Sequence, residues 1–265
     1  MKIKLRQKIG YFLMKKLEKF SRGNIFTYYW SRKLLPLYVY LTGSPHEKDF
    51  LILKKIPARP GILLDVGAND GVSVLSIRAL NKTNPILSLE PNPKQKGRLR
   101  LLTKIIKNYE FKLVGAGEKT GKLTLYSPIY KGYPLLSYAT LKPELLDLSG
   151  HMFTKNYRPD LLSFVKTTVD IIVIDDLNLD ISFVKIDAEG NDFCVLKGML
   201  ATVKRCKPVI IIERVNSTLK EINALLEGFD YRLVNPETAE TITEKSSAGT
   251  WHNFTFWPAG LVPRN

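Results

Sequence analysis

The sequence predicts an α/β fold: a Rossmann-like, mostly parallel sheet with an antiparallel last strand, preceded by an N-terminal helical extension. At residues 61–80, an apolar run leads into a glycine-bracketed turn and an amphipathic pattern, which is typical of a parallel βα unit. Two further apolar runs, at residues 181–186 and 209–212, have the length of strands buried on both faces. Residues 231–234 and 254–257 indicate a closing strand pair.

The turn after the first strand is the centre of this prediction. Gly67 and Gly71 bracket it, and Asp65 stands two residues before the first glycine, whereas dinucleotide sites use G-x-G-x-x-G. Such a turn lets a ligand lie against bare backbone at the positive end of a helix. The second strand, residues 86–89, ends at Glu90, where a carboxylate can accept hydrogen bonds from the hydroxyls of a ribose. A ribose-containing ligand is therefore expected at these strand ends.

Two motifs in this arrangement resemble those of one protein family. The first is Asp65-Val-Gly-Ala-Asn-Asp-Gly71 followed by Glu90-Pro91, and the second is Phe183-Val-Lys-Ile-Asp-Ala-Glu-Gly190. Found in this order, they resemble the FkbM family of S-adenosylmethionine-dependent methyltransferases. The resemblance implies a class I methyltransferase sheet, S-adenosyl-L-methionine as the cofactor, and O-methylation as the reaction.

Local patterns predict the elements that lie between these landmarks. Residues 49–56 and 94–107 have the apolar spacing of helices. Residues 111–117 indicate a third strand, whose glycine-flanked end at Ala116 lets backbone approach an adenine ring. A glycine-marked turn at residues 118–121 predicts a hairpin that extends the sheet.

The next segment, residues 127–165, shows no clear period and scatters aromatic residues among prolines. Long irregular insertions are often lids or binding loops, and the resemblance implies that this one is part of the acceptor site. The alternative is that its aromatic residues fill a small satellite core. After the insertion, residues 166–173 alternate towards a strand, and residues 217–228 resemble a capped helix.

Prolines within residues 57–60 mark the predicted domain boundary. We expect a basic, aromatic-rich helical extension at residues 1–60, a methyltransferase domain at residues 61–258, and a tail at residues 259–265. Residues 127–165 form the predicted acceptor-site insertion within the domain.

The composition assigns most of the positive charge to the extension. The 265-residue chain is 45% hydrophobic, enough for a sizeable core, and its net charge is +15. Residues 1–60 contain 14 lysines and arginines against three acidic residues, a net charge of +11 that leaves +4 for the remainder. The two cysteines, Cys194 and Cys206, lack C-x-x-C spacing, which indicates reduced cysteines in a cytoplasmic protein.

The extension has the composition of a segment that lies on a membrane. Residues 3–20 predict a basic amphipathic helix, and residues 25–41 are rich in tyrosine beside tryptophan and basic residues. The sequence lacks both a secretory cleavage site after this segment and an apolar run of about 20 residues. We therefore expect residues 1–41 to contact an anionic membrane surface peripherally, on the inner membrane face. The alternative is a helical cap that packs against the domain.

Carboxylates and backbone groups at the strand ends make up the predicted cofactor site. In an open α/β sheet, ligands bind beyond the carboxyl ends of the strands. Glu90 would take both ribose hydroxyls, and the glycine turn would hold the methionine part through backbone and water. The candidate cofactor-binding residues are Asp65, Gly67, Asn69, Gly71, Glu90, Ala116 and Asp187.

Methyl transfer to a hydroxyl group needs aligned reactants and a base for the proton. Asp187, at the tip of its strand, is the first candidate base, followed by Glu189, Glu213 and His252. A strand-tip carboxylate can instead cap the next helix, and a lone histidine often serves only as a hydrogen-bond partner. The acidic run from Asp187 to Asp192 lacks calcium-loop spacing and a companion histidine or cysteine cluster, so no metal is expected.

Three classes of function compete at this point. The leading hypothesis is an O-methyltransferase acting on a hydroxyl of a saccharide or another polar metabolite, and a membrane location would favour a lipid-linked glycan. The net charge suggests a nucleic-acid methyltransferase, but the excess is N-terminal and an N-P-P-Y signature is missing, so nucleic acid is not the expected partner. The third class is a non-catalytic, membrane-associated protein that retains the cofactor fold.

Overall fold

A computed structural model describes residues 16, 24–146, 148, 157–214, 218–243 and 251–264. The helix predicted at residues 3–20 lies outside the described residues, apart from Lys16. The helices described in full are α1 (Ile25–Thr42), α2 (Val72–Leu80), α3 (Lys96–Ile105), α4 (Asp192–Lys197), α5 (Leu200–Cys206) and α6 (Leu219–Glu227). The strands are β1 (Ile62–Val66), β2 (Ile86–Leu89), β3 (Tyr109–Lys112), β4 (Gly115–Ala116), β5 (Gly121–Tyr130), β6 (Tyr133–Pro134), β7 (Leu162–Ile172), β8 (Ile181–Ile186), β9 (Val209–Glu213), β10 (Tyr231–Leu233) and β11 (Asn253–Pro258).

The main sheet has seven strands in the order β10-β11-β9-β8-β1-β2-β3. The five strands from β9 to β3 pair in parallel, whereas β11 runs antiparallel to both of its neighbours. This confirms the predicted mostly parallel sheet with an antiparallel last strand. The chain builds β1, β2 and β3 towards one edge and then returns to place β8 on the other side of β1. Such a reversal opens a crevice beyond the carboxyl ends of β1 and β8.

Both faces of this sheet are buried, as its apolar strands require. One face packs against α1, α2 and α3, and its core includes Leu35, Val74 and Leu99. The opposite face packs against α4, α5 and α6, and its core includes Val195 and Ile222. Side chains on a strand can therefore reach solvent chiefly at the strand ends, where the candidate carboxylates lie.

A second, four-stranded sheet has the order β4-β7-β5-β6 and corrects two predictions. Residues 111–117 are not one strand, because β3 joins the main sheet while β4 pairs with β7 in the second sheet. The hairpin predicted after residues 118–121 does not extend the main sheet, because β5 pairs along its whole length with β7. The partner of β5 lies about 40 residues further along the chain, so local alternation carried no information about it.

The segment at residues 127–165 is more regular than its sequence indicates. Strand β5 continues to Tyr130, and β7 begins at Leu162 rather than at residue 166. Tyr28 of α1 packs with Tyr130 and Leu135 in a small separate core, to which Tyr133, Tyr138 and Tyr157 contribute partly buried rings. Several aromatic residues of the insertion thus fill the satellite core that the sequence analysis gave as its alternative.

The described part of the N-terminal extension shares the main core. Tyr38 and Val39 of α1 lie in the core cluster that also contains residues of α2. The helix predicted at residues 49–56 is instead a 3-10 helix, Lys48–Lys54. Asp49 ties this short segment to β11, since its carboxylate accepts hydrogen bonds from the backbone and side-chain nitrogens of Asn253 at 2.7 and 2.9 Å. No helix in the described ranges is long and apolar enough to cross a bilayer.

Candidate active site

A pocket lies at the carboxyl edge of the main sheet, where the strand order reverses. The turns that follow β1, β2 and β8 contribute to it, together with β4 and residues 136–141. The structure brings six of the predicted site residues together in its lining: Gly67, Asn69, Glu90, Ala116, Asp187 and Glu189. The other four predicted site residues do not line it: Asp65, Gly71, Glu213 and His252.

Gly67 and Gly71, in the turn after β1, are each close to a different part of the structure, and neither leaves room for a side chain. Gly67 has a φ of +78°, and a Cβ atom there would lie 1.7 Å from the carbonyl oxygen of Asp187. The turn after β1 therefore touches the turn after β8 backbone to backbone. Gly71 has a φ of +84° and begins α2, and a Cβ there would lie 2.1 Å from Leu102 of α3. Gly67 shapes the pocket, whereas Gly71 allows two helices to pack behind it.

Glu90 presents a buried carboxylate to the pocket, with 6% of the residue exposed. Its Oε2 accepts a hydrogen bond from the backbone N–H of Asn69 at 2.7 Å, and its Oε1 accepts one from that of Asn92 at 2.8 Å. Burial raises the pKa of Glu90 to about 7, although the two backbone donors oppose the rise. Each oxygen retains a lone pair for a further donor.

Asp65 lies behind the pocket rather than in it. The side chain is fully buried, and its Oδ2 accepts hydrogen bonds from the hydroxyls of Ser73 at 2.7 Å and Ser88 at 3.2 Å. Its Oδ1 lies 3.6 Å from the ammonium nitrogen of Lys185. Asp65 therefore acts on the site through the residues that it holds.

Lys185 is a buried charged residue of the candidate site that was not among the residues predicted from sequence. It pairs with Asp65 across β1 and β8, and only 4% of its side chain is exposed. Its Nζ donates a hydrogen bond to the carbonyl of Gly67 at 3.0 Å and lies 3.1 Å from Oδ2 of Asp187. Burial opposes a charge on Lys185, yet Asp187 and Asp65 together raise its pKa. A lysine inside an otherwise apolar strand was the available signal.

Asp187 and Glu189 follow β8 and face the pocket together. The Asp187 side chain is 34% exposed and pairs with Lys185. Glu189 has a φ of +49°, and its backbone is held by the hydroxyl of Thr140, which donates to the Glu189 carbonyl at 3.0 Å. Burial, followed by the charges of Asp187 and Glu213, raises the pKa of Glu189 well above its ordinary value. No hydrogen bond or ion pair engages the Glu189 carboxylate within the described part of the chain.

The turn that carries these two carboxylates is fixed from behind. Asp192 accepts hydrogen bonds from the backbone N–H groups of Ala188 at 2.8 Å and Gly190 at 3.2 Å. Asn191 donates from its side chain to the carbonyl of Ala116 at 3.0 Å, which links the turn to β4. These contacts set the position of Glu189 relative to the wall formed by Ala116.

Glu213 and His252 do not line the pocket. Glu213 ends β9, and burial together with the negative charge of Asp187 raises its pKa to about 8. His252 is exposed, and its carbonyl accepts a hydrogen bond from the backbone N–H of Arg214 at 3.1 Å. Among the described residues, no group of three or more histidines, cysteines and acids is arranged to hold a metal ion.

Comparison with known proteins identifies the family. Residues 65–233, more than half of the chain, match the Methyltransferase FkbM domain. The chain belongs to the FkbM methyltransferase family. This confirms the family that the two motifs led us to expect. A comparison with curated proteins found no significant match.

Solved structures with a similar fold are only distantly related in sequence. Methyltransferase FkbM from Methylobacillus flagellatus KT is 18% identical, with a TM-score of 0.49, over 92% of this chain and 57% of that protein. Precorrin-6y C5,15-methyltransferase from Geobacter metallireducens GS-15 is 16% identical, with a TM-score of 0.41, over 80% of this chain and 86% of that one. A ribosomal protein L11 methylase from Lactobacillus delbrueckii subsp. bulgaricus is 10% identical, with a TM-score of 0.40, over 80% of this chain and 76% of that one.

The pocket of this FkbM methyltransferase has the groups that S-adenosylmethionine requires. A ribose diol needs acceptors, and the buried Glu90 carboxylate faces the pocket with lone pairs to spare. An adenine ring needs apolar surroundings, and Ala116 and Ile171 are among the apolar residues of the lining. A sulfonium and an ammonium group favour nearby negative charge, which Asp187 and Glu189 provide. Gly67 adds no side chain to the lining, and a Cβ there would collide with the backbone of Asp187.

Proposed function

We propose that this FkbM-family enzyme transfers a methyl group to a hydroxyl oxygen of a saccharide or another polar metabolite, with Glu189 as the proton acceptor. The observation that carries the proposal is the Glu189 carboxylate, which lines the cofactor pocket beside Asp187 without a described hydrogen bond or ion pair. A free acid in this position can receive the proton that a hydroxyl nucleophile must lose.

Each residue of the pocket has its own role in the proposed reaction. Glu90 accepts the ribose hydroxyls, the backbone around Gly67 and Asn69 holds the methionine part, and Ala116 contacts the adenine. When bound, S-adenosylmethionine supplies an electrophilic methyl group and departs as the neutral thioether. Glu189 takes the hydroxyl proton as the acceptor oxygen bonds to the methyl carbon. Burial and the charges of Asp187 and Glu213 raise the pKa of Glu189, which makes its carboxylate a stronger base than an exposed one.

Asp187, the first candidate base from sequence, fits a different role. Its carboxylate is already engaged by the buried ammonium of Lys185 at 3.1 Å. A carboxylate held in this way is positioned to align reactants and to balance positive charge, which are larger contributions to methyl transfer than proton removal. Glu213 and His252 do not line the pocket and are supporting candidates at most.

The acceptor class is supported by the surroundings of the pocket. Leu136, Ser137, Ala139 and Leu141, from the predicted acceptor-site insertion, line the pocket, and Tyr138 lies between them in the chain without lining it. We further propose peripheral association with an anionic membrane, because α1 exposes an apolar and aromatic face while residues 1–60 carry most of the net charge. A lipid-linked glycan would satisfy both features.

The first prediction tests the proton acceptor. Glu189→Gln should lower turnover by about 10²–10⁴-fold while leaving affinity for S-adenosylhomocysteine within a fewfold, because it removes a base and little binding surface. In the wild type, turnover should fall on acidification in a window above the ordinary carboxylate range, since the raised pKa of Glu189 means that it is protonated there. Transfer of a labelled methyl group to separate glycan, lipid and RNA extracts measures turnover and acceptor class together.

Two comparisons make this test decisive. Glu110→Gln, on an exposed residue of β3, is the matched control and should leave turnover unchanged. Asp187→Asn should lower turnover, but turnover should still fall on acidification, because Glu189 is still present to be protonated. Normal turnover of Glu189→Gln would reject Glu189 as the base, and labelling confined to RNA would reject the saccharide or metabolite acceptor.

A further inference from the structure

A second pocket opens beside the cofactor pocket, between α1 and the turn that follows β1. It is bounded by Tyr28, Tyr29, Arg32 and Lys33 on α1, by Asn69 and Asp70 on the turn, and by Arg98 at the start of α3. Gln95 and residues 134–137 complete its lining. We call it the α1 pocket.

The α1 pocket is positively charged. Arg98 is neutralised by Asp70, because their side chains form an ion pair at 3.0 Å. The guanidinium of Arg32 is half-buried, and no hydrogen bond or ion pair joins it to another described residue. Lys33 lies over the rings of Tyr29 at 4.3 Å and Trp30 at 5.1 Å, which orient it without neutralising it. Burial opposes the charge of Arg32, yet the nearby charge of Asp70 raises its pKa, although the ion pair of Asp70 is with Arg98. Arg32, Lys33 and Arg98 therefore face a single carboxylate in this pocket, which leaves an excess of positive charge.

Such an arrangement favours an anionic ligand. A guanidinium removed from water is costly unless it is paired, and it presents a planar fork that matches the oxygens of a phosphate or carboxylate. The ordered side chains around Arg32 include the tyrosine pair Tyr28 and Tyr138, whose hydroxyls lie 3.1 Å apart.

The α1 pocket is adjacent to the cofactor pocket. Asn69, Leu136 and Ser137 line both pockets. A molecule anchored in the α1 pocket therefore lies next to the pocket that Asp187 and Glu189 line. This adjacency distinguishes the α1 pocket from a basic patch on an unrelated surface.

We propose that the α1 pocket binds an oxyanion carried by the methyl acceptor, a phosphate or a carboxylate, with Arg32 and Lys33 as its ligands. The acceptor of this enzyme would then be an acidic saccharide or metabolite, such as a sugar phosphate or a uronic acid. This inference rests on the proposed function, because it gives the acceptor a charge and an orientation relative to Glu189.

The experiment measures binding of simple probes to the full-length protein saturated with S-adenosylhomocysteine. Glucose 6-phosphate and glucuronate represent the two oxyanions, and glucose is the neutral reference. We expect at least one acidic probe to bind at least about tenfold more tightly than glucose, since charge-assisted hydrogen bonds are the stronger class. Arg32→Gln with Lys33→Gln should remove that preference and leave S-adenosylhomocysteine affinity within about threefold.

The controls separate the subsite from general electrostatics and from the proposed function. Arg100→Gln with Lys104→Gln removes the same charge from exposed positions on α3 and should retain the preference. Arg32→Lys keeps a cation and should give an intermediate loss, which also serves if the glutamine variant does not fold. Equal binding of glucose and both acidic probes, or an unchanged preference in the double variant, would overturn the proposal. Failure of S-adenosylhomocysteine itself to bind would instead overturn the cofactor role of the main pocket.

Discussion

Glu90 shows how one residue can couple cofactor binding to pH. Its carboxylate is buried and receives two backbone hydrogen bonds, at 2.7 and 2.8 Å. Burial outweighs these donors and raises its pKa to about 7, so the free protein is a mixture of both forms near neutrality. Ribose hydroxyls donate to a carboxylate, and their binding therefore favours the ionised form.

The second prediction follows from this linkage. Affinity for S-adenosylhomocysteine should rise by about tenfold from pH 6 to pH 8, because binding lowers the pKa of Glu90 and so releases its proton. Calorimetry in buffers of different ionisation enthalpy would show the released proton directly. Glu90→Gln should weaken binding at pH 8 and flatten the pH dependence, whereas Glu110→Gln should change neither. An equally steep dependence in Glu90→Gln would assign the proton to another acid and contradict the role of Glu90.

Strand β8 carries Lys185, whose ammonium group connects β1 to the turn that follows β8. Lys185 lies between Asp65 of β1 and Asp187 beyond the end of β8, at 3.6 and 3.1 Å. It also donates to the carbonyl of Gly67, so one ammonium group fixes the turn after β1 and the turn after β8. Removing one partner from a buried ion pair destabilises the fold by more than the intact pair stabilises it. The reason is that the remaining charge is left buried without an opposite charge.

The third prediction concerns this connection. Lys185→Met should lower the free energy of unfolding by about 3–5 kcal/mol, since it leaves the Asp65 carboxylate buried without a cation. Denaturant unfolding with circular dichroism measures the change. Lys104→Met, at an exposed position of α3, is the matched control and should lie within about 0.5 kcal/mol of the wild type. Lys185→Met with wild-type stability would contradict the structural role given to this ion pair.

The accuracy of the sequence predictions varies from element to element for physical reasons. Strand β8 was predicted correctly, because a strand buried on both faces is a continuous apolar run. The closing pair β10 and β11 was also predicted correctly. The pairing of β5 with β7 was not, because it depends on contacts distant in sequence. The residues that line the cofactor pocket could be predicted because they follow the ends of predicted strands. Arg32 could not, because it reaches the α1 pocket only through the packing of α1 against the domain.

At the scale of the whole molecule, α1 separates two environments. Its inner side contributes Leu35 and Val39 to the core, and one flank contributes Arg32 to the α1 pocket. The outer side carries six apolar or aromatic residues that are 46–65% exposed. They are Phe26, Trp30, Leu34, Leu37, Tyr40 and Leu41. Most follow helical spacing of three or four, so they form one stripe along the helix.

This stripe would place the α1 pocket next to a membrane surface. A helix with an apolar face and neighbouring basic charge lies in the interface of anionic bilayers. The net charge of +11 on residues 1–60 adds about 1 kcal/mol for each basic residue near the surface. An acidic acceptor anchored to a lipid would then approach Arg32 from the membrane side, so the proposed location and the proposed subsite require the same orientation of the molecule.

The fourth prediction tests that orientation on vesicles. The protein should sediment with phosphatidylserine-containing vesicles at low salt and be released by high salt, because Lys and Arg attraction is screened. Trp30→Ser with Leu34→Ser and Leu37→Ser should weaken binding by more than about tenfold, since each buried apolar side chain contributes about 1.5–3 kcal/mol. Leu101→Ser with Ile105→Ser, which changes exposed residues of α3, should bind vesicles normally. If the triple variant binds as the wild type does while retaining S-adenosylhomocysteine affinity, the stripe does not face the membrane, and the anion held by Arg32 would have to come from a soluble acceptor.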